Sequence, residues 1–126
     1  MVNDVLLYIG SGIIIFWGIA HIVPTWSVIK GFGEISPHNR RIITMEWLAE
    51  GFTLMFIGVL VVLVVALCDD SLACAARITY RVCAGMLVLL ALLTLFTGFR
   101  TPIIPMKLCP AVKILAATFL ILGSAL

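Results

Sequence analysis

The stretch Ser36–Leu67, SPHNRRIITMEWLAEGFTLMFIGVLVVLVVAL, decides how the rest of the chain is read. Ser36 is a good N-cap, and Pro37 suits the first helical position, where its missing N–H costs nothing. The pattern predicts one helix over 37–67, about 46 Å long at 1.5 Å per residue. That exceeds a hydrocarbon core of about 30 Å, so His38, Arg40 and Arg41 are expected among lipid headgroups. Into this segment enter two carboxylates, Glu46 and Glu50. An acidic side chain costs roughly 2.5–3.5 kcal/mol at the centre of a membrane helix, and less near an interface. With Arg41 at the interface, Glu50 lies about 13 Å further along the axis and Glu46 about halfway. Glu46, Glu50 and Thr53 share one face of the helix. Glu46 reads as interfacial, whereas Glu50, a turn deeper, needs a purpose.

Composition sets the class. Of 126 residues, 63% are hydrophobic and 11% charged, against about 45–50% and 25% in soluble domains. A mean hydropathy of +1.27 would oblige a water-soluble fold to expose a large apolar surface. The length suits a single domain over 1–126. The net charge of +2 comes with no basic tract, so nucleic acid is not an expected partner. Met1-Val2-Asn3-Asp4 lacks the positive start of a signal peptide, and the first apolar run is expected to be a retained helix. The four cysteines, Cys68, Cys74, Cys83 and Cys109, form no C-x-x-C pair, which speaks against a thioredoxin-like or quinone-linked redox pair. Cys68 and Cys74 flank a turn and are close enough in sequence to bridge in an oxidising compartment. The simpler reading is four small, buried, unpaired residues.

Working outward, an earlier span is expected over about 5–23, stopped by Pro24. Gly10, Ser11, Ile14, Trp17, Gly18 and His21 fall on one arc of it, and Ile9, Ile13, Phe16 and Ile19 on the other. Small residues permit close helix approach in lipid, so the first arc is expected to face the bundle. Residues 24–36 are too polar and glycine-interrupted to span, and suit a short re-entrant or surface helix. After the tight connection Cys68-Asp69-Asp70-Ser71, with Asp70 or Ser71 as cap, a third span is expected over about 71–99. Arg77 and Arg81 would snorkel, and Thr79, Cys83, Met86, Leu90, Leu93 and Thr97 would form an inward seam with Thr94 beside it. A fourth span is expected over about 106–126, with Pro110 distorting its first turns. The predicted fold is therefore all-α, an integral membrane four-helix bundle of up-down-up-down topology. Lys30, Arg40, Arg41, Arg100, Lys107 and Lys113 fall to one side, against Arg77 and Arg81 on the other. By the positive-inside rule, loops 1–2 and 3–4 face the cytoplasm of a cell membrane and both termini lie outside.

This connectivity would gather Trp17, His21, Glu46, Trp47, Glu50, Thr53, Thr97 and Arg100 toward one membrane face. Ionisable residues in membrane helices usually point inward and pair with one another. A His–Glu contact and neutralisation of one glutamate by Arg100 are expected, around a cleft lined by tryptophan and aliphatic groups. Such a cleft suits a small apolar or amphipathic ligand, cationic or sterol-like. The competing reading is a structural His–Glu–Arg network that pins helix packing. With only His21 and His38 in the chain, no haem or zinc site, and hence no cofactor or metal, is expected.

Residues 12–24, GIIIFWGIAHIVP, resemble the first helix of DoxX-like small membrane proteins, whose pattern is of the type F-x-x-G-x-x-H-x-x-P and is matched here chiefly at Gly18, His21 and Pro24. The resemblance implies a four-helix layout. A more distant similarity is to the sterol-isomerase and sigma-2-receptor superfamily, whose embedded carboxylates and tryptophans line a lipid or amine pocket. The leading functional expectation is a non-catalytic or accessory protein with an intramembrane polar pocket. Alternatives are a proton-coupled small transporter using Glu50, a membrane enzyme with His/Glu acid–base chemistry, or a structural subunit of a homo-oligomer or membrane complex. Membrane lipid is the expected partner in each.

Overall fold

The computed structural model describes residues 2–126, which form five helices and no strand. Helix α1 (Asp4–Ile22) starts at Asn3, whose side chain accepts the Leu6 N–H at 3.2 Å. A seven-residue helix, α2 (Thr25–Gly31), follows Pro24 and occupies the first connection. Gly33, at φ +70°, then turns the chain through a conformation that a side chain would strain. Helix α3 (Pro37–Leu67) has the predicted ends, with the Ser36 hydroxyl accepting the Asn39 N–H at 3.2 Å.

The next turn is capped differently from the expectation. Asp69, not Asp70 or Ser71, supplies the cap, accepting the Ser71 N–H at 3.1 Å ahead of a 3-10 turn, Asp70–Leu72. Helix α4 (Ala73–Phe96) and a second 3-10 turn (Gly98–Arg100) replace the single helix expected over 71–99. Helix α5 (Ile104–Ala125) takes Pro105 into its first turn and Pro110 into its interior. Pro110 removes the N–H that the Met106 carbonyl would otherwise accept.

Four of these segments are long and apolar enough to cross a membrane: α1, α3, α4 with its flanking turns, and α5. Their outer faces are apolar too, with Phe16, Phe56, Val82, Leu89 and Phe96 all exposed. Helix α1 packs against α3 on one side and α5 on the other, while α4 packs principally against α5 and only lightly against α3. Glycines set the closest approaches. A Cβ on Gly18 would stand 2.9 Å from the Gly51 carbonyl oxygen, and one on Gly58 would stand 2.8 Å from that of Ser11. On the other flank, a Cβ on Gly10 would meet the Ala116 carbonyl oxygen at 3.1 Å, and the Asn3 N–H donates to the Gly123 carbonyl at 2.8 Å. The arc predicted for α1 is the buried one: Gly10, Ser11, Ile14, Gly18 and His21 are buried and Trp17 is half-buried.

The seam predicted on α4 is rotated by one residue. Met86, Leu93 and Thr97 are exposed, and the buried row is Ala76, Tyr80, Cys83, Leu87, Ala91 and Thr94. Small residues let α4 approach the Ala116–Ala117 surface of α5, and Leu89, Leu92, Leu93 and Leu95 turn outward while Leu87 stays in the core. All four cysteines are free thiols; Cys83 and Cys109 are buried, Cys68 is half-buried and Cys74 is exposed.

Candidate functional site

Each of the four long helices sends one polar side chain to the same place. His21 comes from the last turn of α1, Glu50 from α3, Thr94 from the last turn of α4, and Lys113 from α5. Lys113 is the centre of the group. Its ammonium pairs with the Glu50 carboxylate and donates to Thr94 Oγ1 at 2.8 Å. The Thr94 hydroxyl in turn donates a hydrogen bond to the Leu90 carbonyl at 2.8 Å. The Lys113 side chain is 0% exposed and that of Glu50 30%. A wholly buried ammonium persists only when paired and hydrogen-bonded, and here both conditions are met.

His21 completes the group less fully. Its Nε2 is 3.8 Å from Glu50 Oε2, beyond hydrogen-bond reach, and this buried nitrogen has no hydrogen-bond partner. The ring is instead held by Trp47, which stacks on it with centroids 4.0 Å apart and planes 15° from parallel. The Trp47 indole N–H donates to the His21 carbonyl at 2.9 Å. Across α1, the Trp17 indole N–H donates to Cys109 Sγ at 3.3 Å. Both tryptophans next to the cluster thus have their donors engaged.

Beside this group opens a cleft of about 740 Å³. Its walls are Trp17, Ala20 and His21 of α1, one side of α2 with Phe32, Trp47 of α3, and the segment from Gly98 through the first turns of α5 with Met106. Aliphatic and aromatic surface dominates, with Ser27, Thr101 and His21 as the polar members. Among the described residues, no aspartate, glutamate, lysine or arginine lines it.

The structure therefore brings together part of the predicted set. Trp17, His21 and Trp47 share the cleft, and Glu50 lies behind His21 in the ion pair. Glu46 is exposed and has no ion-pair partner among the described residues. Thr53 donates to Ala49 O at 2.7 Å and Thr97 to Leu93 O at 2.7 Å, so both hydroxyls are satisfied along their own helices. Arg100 is exposed, and the expectation that it neutralises a glutamate is corrected: the fixed cation is Lys113. Counting Lys113 with the loop-side cations hid it. The signal that would have found it is its row on α5, where Cys109, Lys113, Ala116, Ala117 and Leu120 recur at helical spacing and are all buried. No group of three or more metal-ligating side chains occurs among the described residues.

No known protein family, curated protein or solved structure matches this chain.

Proposed function

We propose that the chain is a small integral membrane protein whose four long helices cross the bilayer up-down-up-down, and that its cleft binds a small apolar or amphipathic ligand. The observation carrying this reading is the 740 Å³ cleft, walled by two tryptophans and by a buried imidazole with an unpartnered nitrogen. Volumes of about 300–1,000 Å³ with few convergent polar groups are typical of small-molecule sites. Positive charge supports an orientation with Lys30, Arg40, Arg41, Arg100 and Lys107 in the cytoplasm, both termini lying outside. Lys113 leaves that count, since it is inside the bundle. A DoxX-like relation rests on the sequence positions Gly18, His21 and Pro24 alone. Proton-coupled exchange of a cation on Glu50 is disfavoured, because Lys113 already occupies that carboxylate.

The test uses the full chain in lipid nanodiscs with Trp26→Phe, which removes the exposed tryptophan outside the cleft. Titrated dibromostearyl alcohol should quench Trp17 and Trp47 fluorescence saturably. Gly31 borders the cleft, and a Cβ there meets nothing within 4 Å. Gly31→Leu should therefore intrude on the cleft without disturbing packing, and weaken saturable quenching. Linear quenching that is identical in both proteins would refute a binding site.

A further inference from the structure

We infer that the cleft selects an uncharged amphiphile and discriminates against both cationic and anionic ones of equal chain length. The inference rests on the cleft being a binding site, as proposed above, and specifies the ligand's charge class. A cation needs a free carboxylate or an open aromatic face. Glu50 is held by Lys113 and does not border the cleft, while Glu46 is exposed on α3 and does not border it either. One face of Trp47 is covered by the His21 ring, and the faces that Trp17 and Phe32 bring to the lining recover only part of a cation's desolvation cost. An anion needs a free cation. The Lys113 ammonium is spent on Glu50 and Thr94, and Lys30 sits over Trp26 at 5.8 Å, outside the lining. Arg100 and Lys107 are exposed and also outside it.

What the wall offers is hydrogen bonding without charge. Ser27 contributes a hydroxyl, and Thr101, whose proton goes to the Gly98 carbonyl at 2.7 Å, keeps accepting lone pairs. A charged head seated among these groups would be desolvated with nothing to compensate it, whereas a hydroxyl or carbonyl would not. The ion pair behind His21 is thus a closed unit. It cancels the charges behind His21 and leaves the ligand's polar end to the dipoles of the lining.

Three brominated probes with one chain and different heads test this in the Trp26→Phe nanodiscs: dibromostearyl alcohol, dibromostearate and dibromostearyl trimethylammonium. The alcohol should half-saturate quenching at a concentration at least about tenfold below either charged probe, in line with the cost of an unpaired charge in apolar surroundings. Ala20 borders the cleft from the last turn of α1, at the interface in the membrane arrangement proposed above, where a charge costs least. Ala20→Glu should then improve the ammonium probe, and Ala20→Lys the carboxylate, each by about tenfold relative to the alcohol. Saturable quenching that favours a charged probe in the unmodified wall would overturn the inference and leave the binding site standing. So would preferences that neither Ala20 variant moves. No saturable quenching by any probe would overturn both.

Discussion

The ion pair between Lys113 and Glu50 makes an asymmetric prediction, because its two ends are buried to different degrees. Glu50→Gln leaves an ammonium that is 0% exposed without a counter-charge, its partners reduced to the Thr94 hydroxyl and a neutral amide oxygen. Breaking a buried pair by removing one partner costs about 3–5 kcal/mol, and this variant should fall in that range. Lys113→Met keeps the volume of the stem and leaves a carboxylate that is 30% exposed and so partly solvated. Thr94 keeps its bond to the Leu90 carbonyl, so no hydroxyl is orphaned. The loss should be about 1–2 kcal/mol, close to that of one or two hydrogen bonds. The double variant removes both charges together and should lie within about 1 kcal/mol of the parent, since apolar replacement of a buried pair is often neutral. Reversible unfolding by increasing SDS mole fraction, followed by far-UV circular dichroism, gives all three differences and their coupling. If Lys113→Met costs as much as Glu50→Gln, or if the double variant equals the sum of the singles, the pair is not the unit described here.

Three further outcomes are expected. A Cβ on Gly58 would stand 2.8 Å from the Ser11 carbonyl oxygen and 2.9 Å from Ile14 Cγ2, so Gly58→Ala should cost about 1–3 kcal/mol. Gly85, with nothing within 4 Å of its would-be Cβ, should accept alanine neutrally or gain up to about 1 kcal/mol; the opposite order would refute the α1–α3 contact. Trp47→Phe keeps a ring over His21 but loses the indole donor to its carbonyl, and should cost about 1 kcal/mol while shifting the His21 ring resonances. At the other end of the bundle, the Ser71 hydroxyl, at 2.5 Å, and its N–H hold the Asp69 carboxyl below the usual carboxylate range. A lowered pKa means this stabilisation is fully present above the ordinary value of about 3.9 and is lost as pH falls through Asp69's own lower one. The Ser71 amide shift should report that titration, and a midpoint at or above the ordinary value would contradict the capped turn.

How much of this was legible follows from where each signal resides. The start of α3 depends on Ser36 and Pro37, two adjacent residues whose cap chemistry is local, and its predicted ends match the structure. The face of α1 was legible because glycine, serine and histidine stand out against isoleucine and phenylalanine. On α4 leucine occurs on every side, so periodicity had little contrast; alanine was the better guide, since closeness of approach selects the interface. Lys113 was hidden for a different reason. A lone lysine in an apolar helix reads as reaching for water, and only a carboxylate sixty-three positions away in sequence makes its burial tolerable. Local patterns cannot contain that partner.

The depth of the charges shows how structure revises a sequence ruler. Measured from Arg41, Glu50 lies about 13 Å beyond the interface. Measured from α1 it does not. Gly51 abuts Gly18 and Ile22, so Glu50 sits level with the last turn of α1. With its 19 residues, α1 is about 28 Å long, the thickness of a hydrocarbon core. In the membrane arrangement proposed here, residues 37–49 of α3 therefore project past α1 by about 20 Å, with α2 packed beside them. That placement accounts for the exposure of Glu46 and the partial exposure of Glu50, and it lowers the cost of the carboxylate, which falls toward the interface. Lysine stems on a helix run toward its N-terminus, so Lys113 delivers its ammonium to this same end from deeper in α5. A pair held at that level contributes little at the bundle's centre. Its position next to His21 places it behind the cleft's wall, where cancelling charge matters more than burying it.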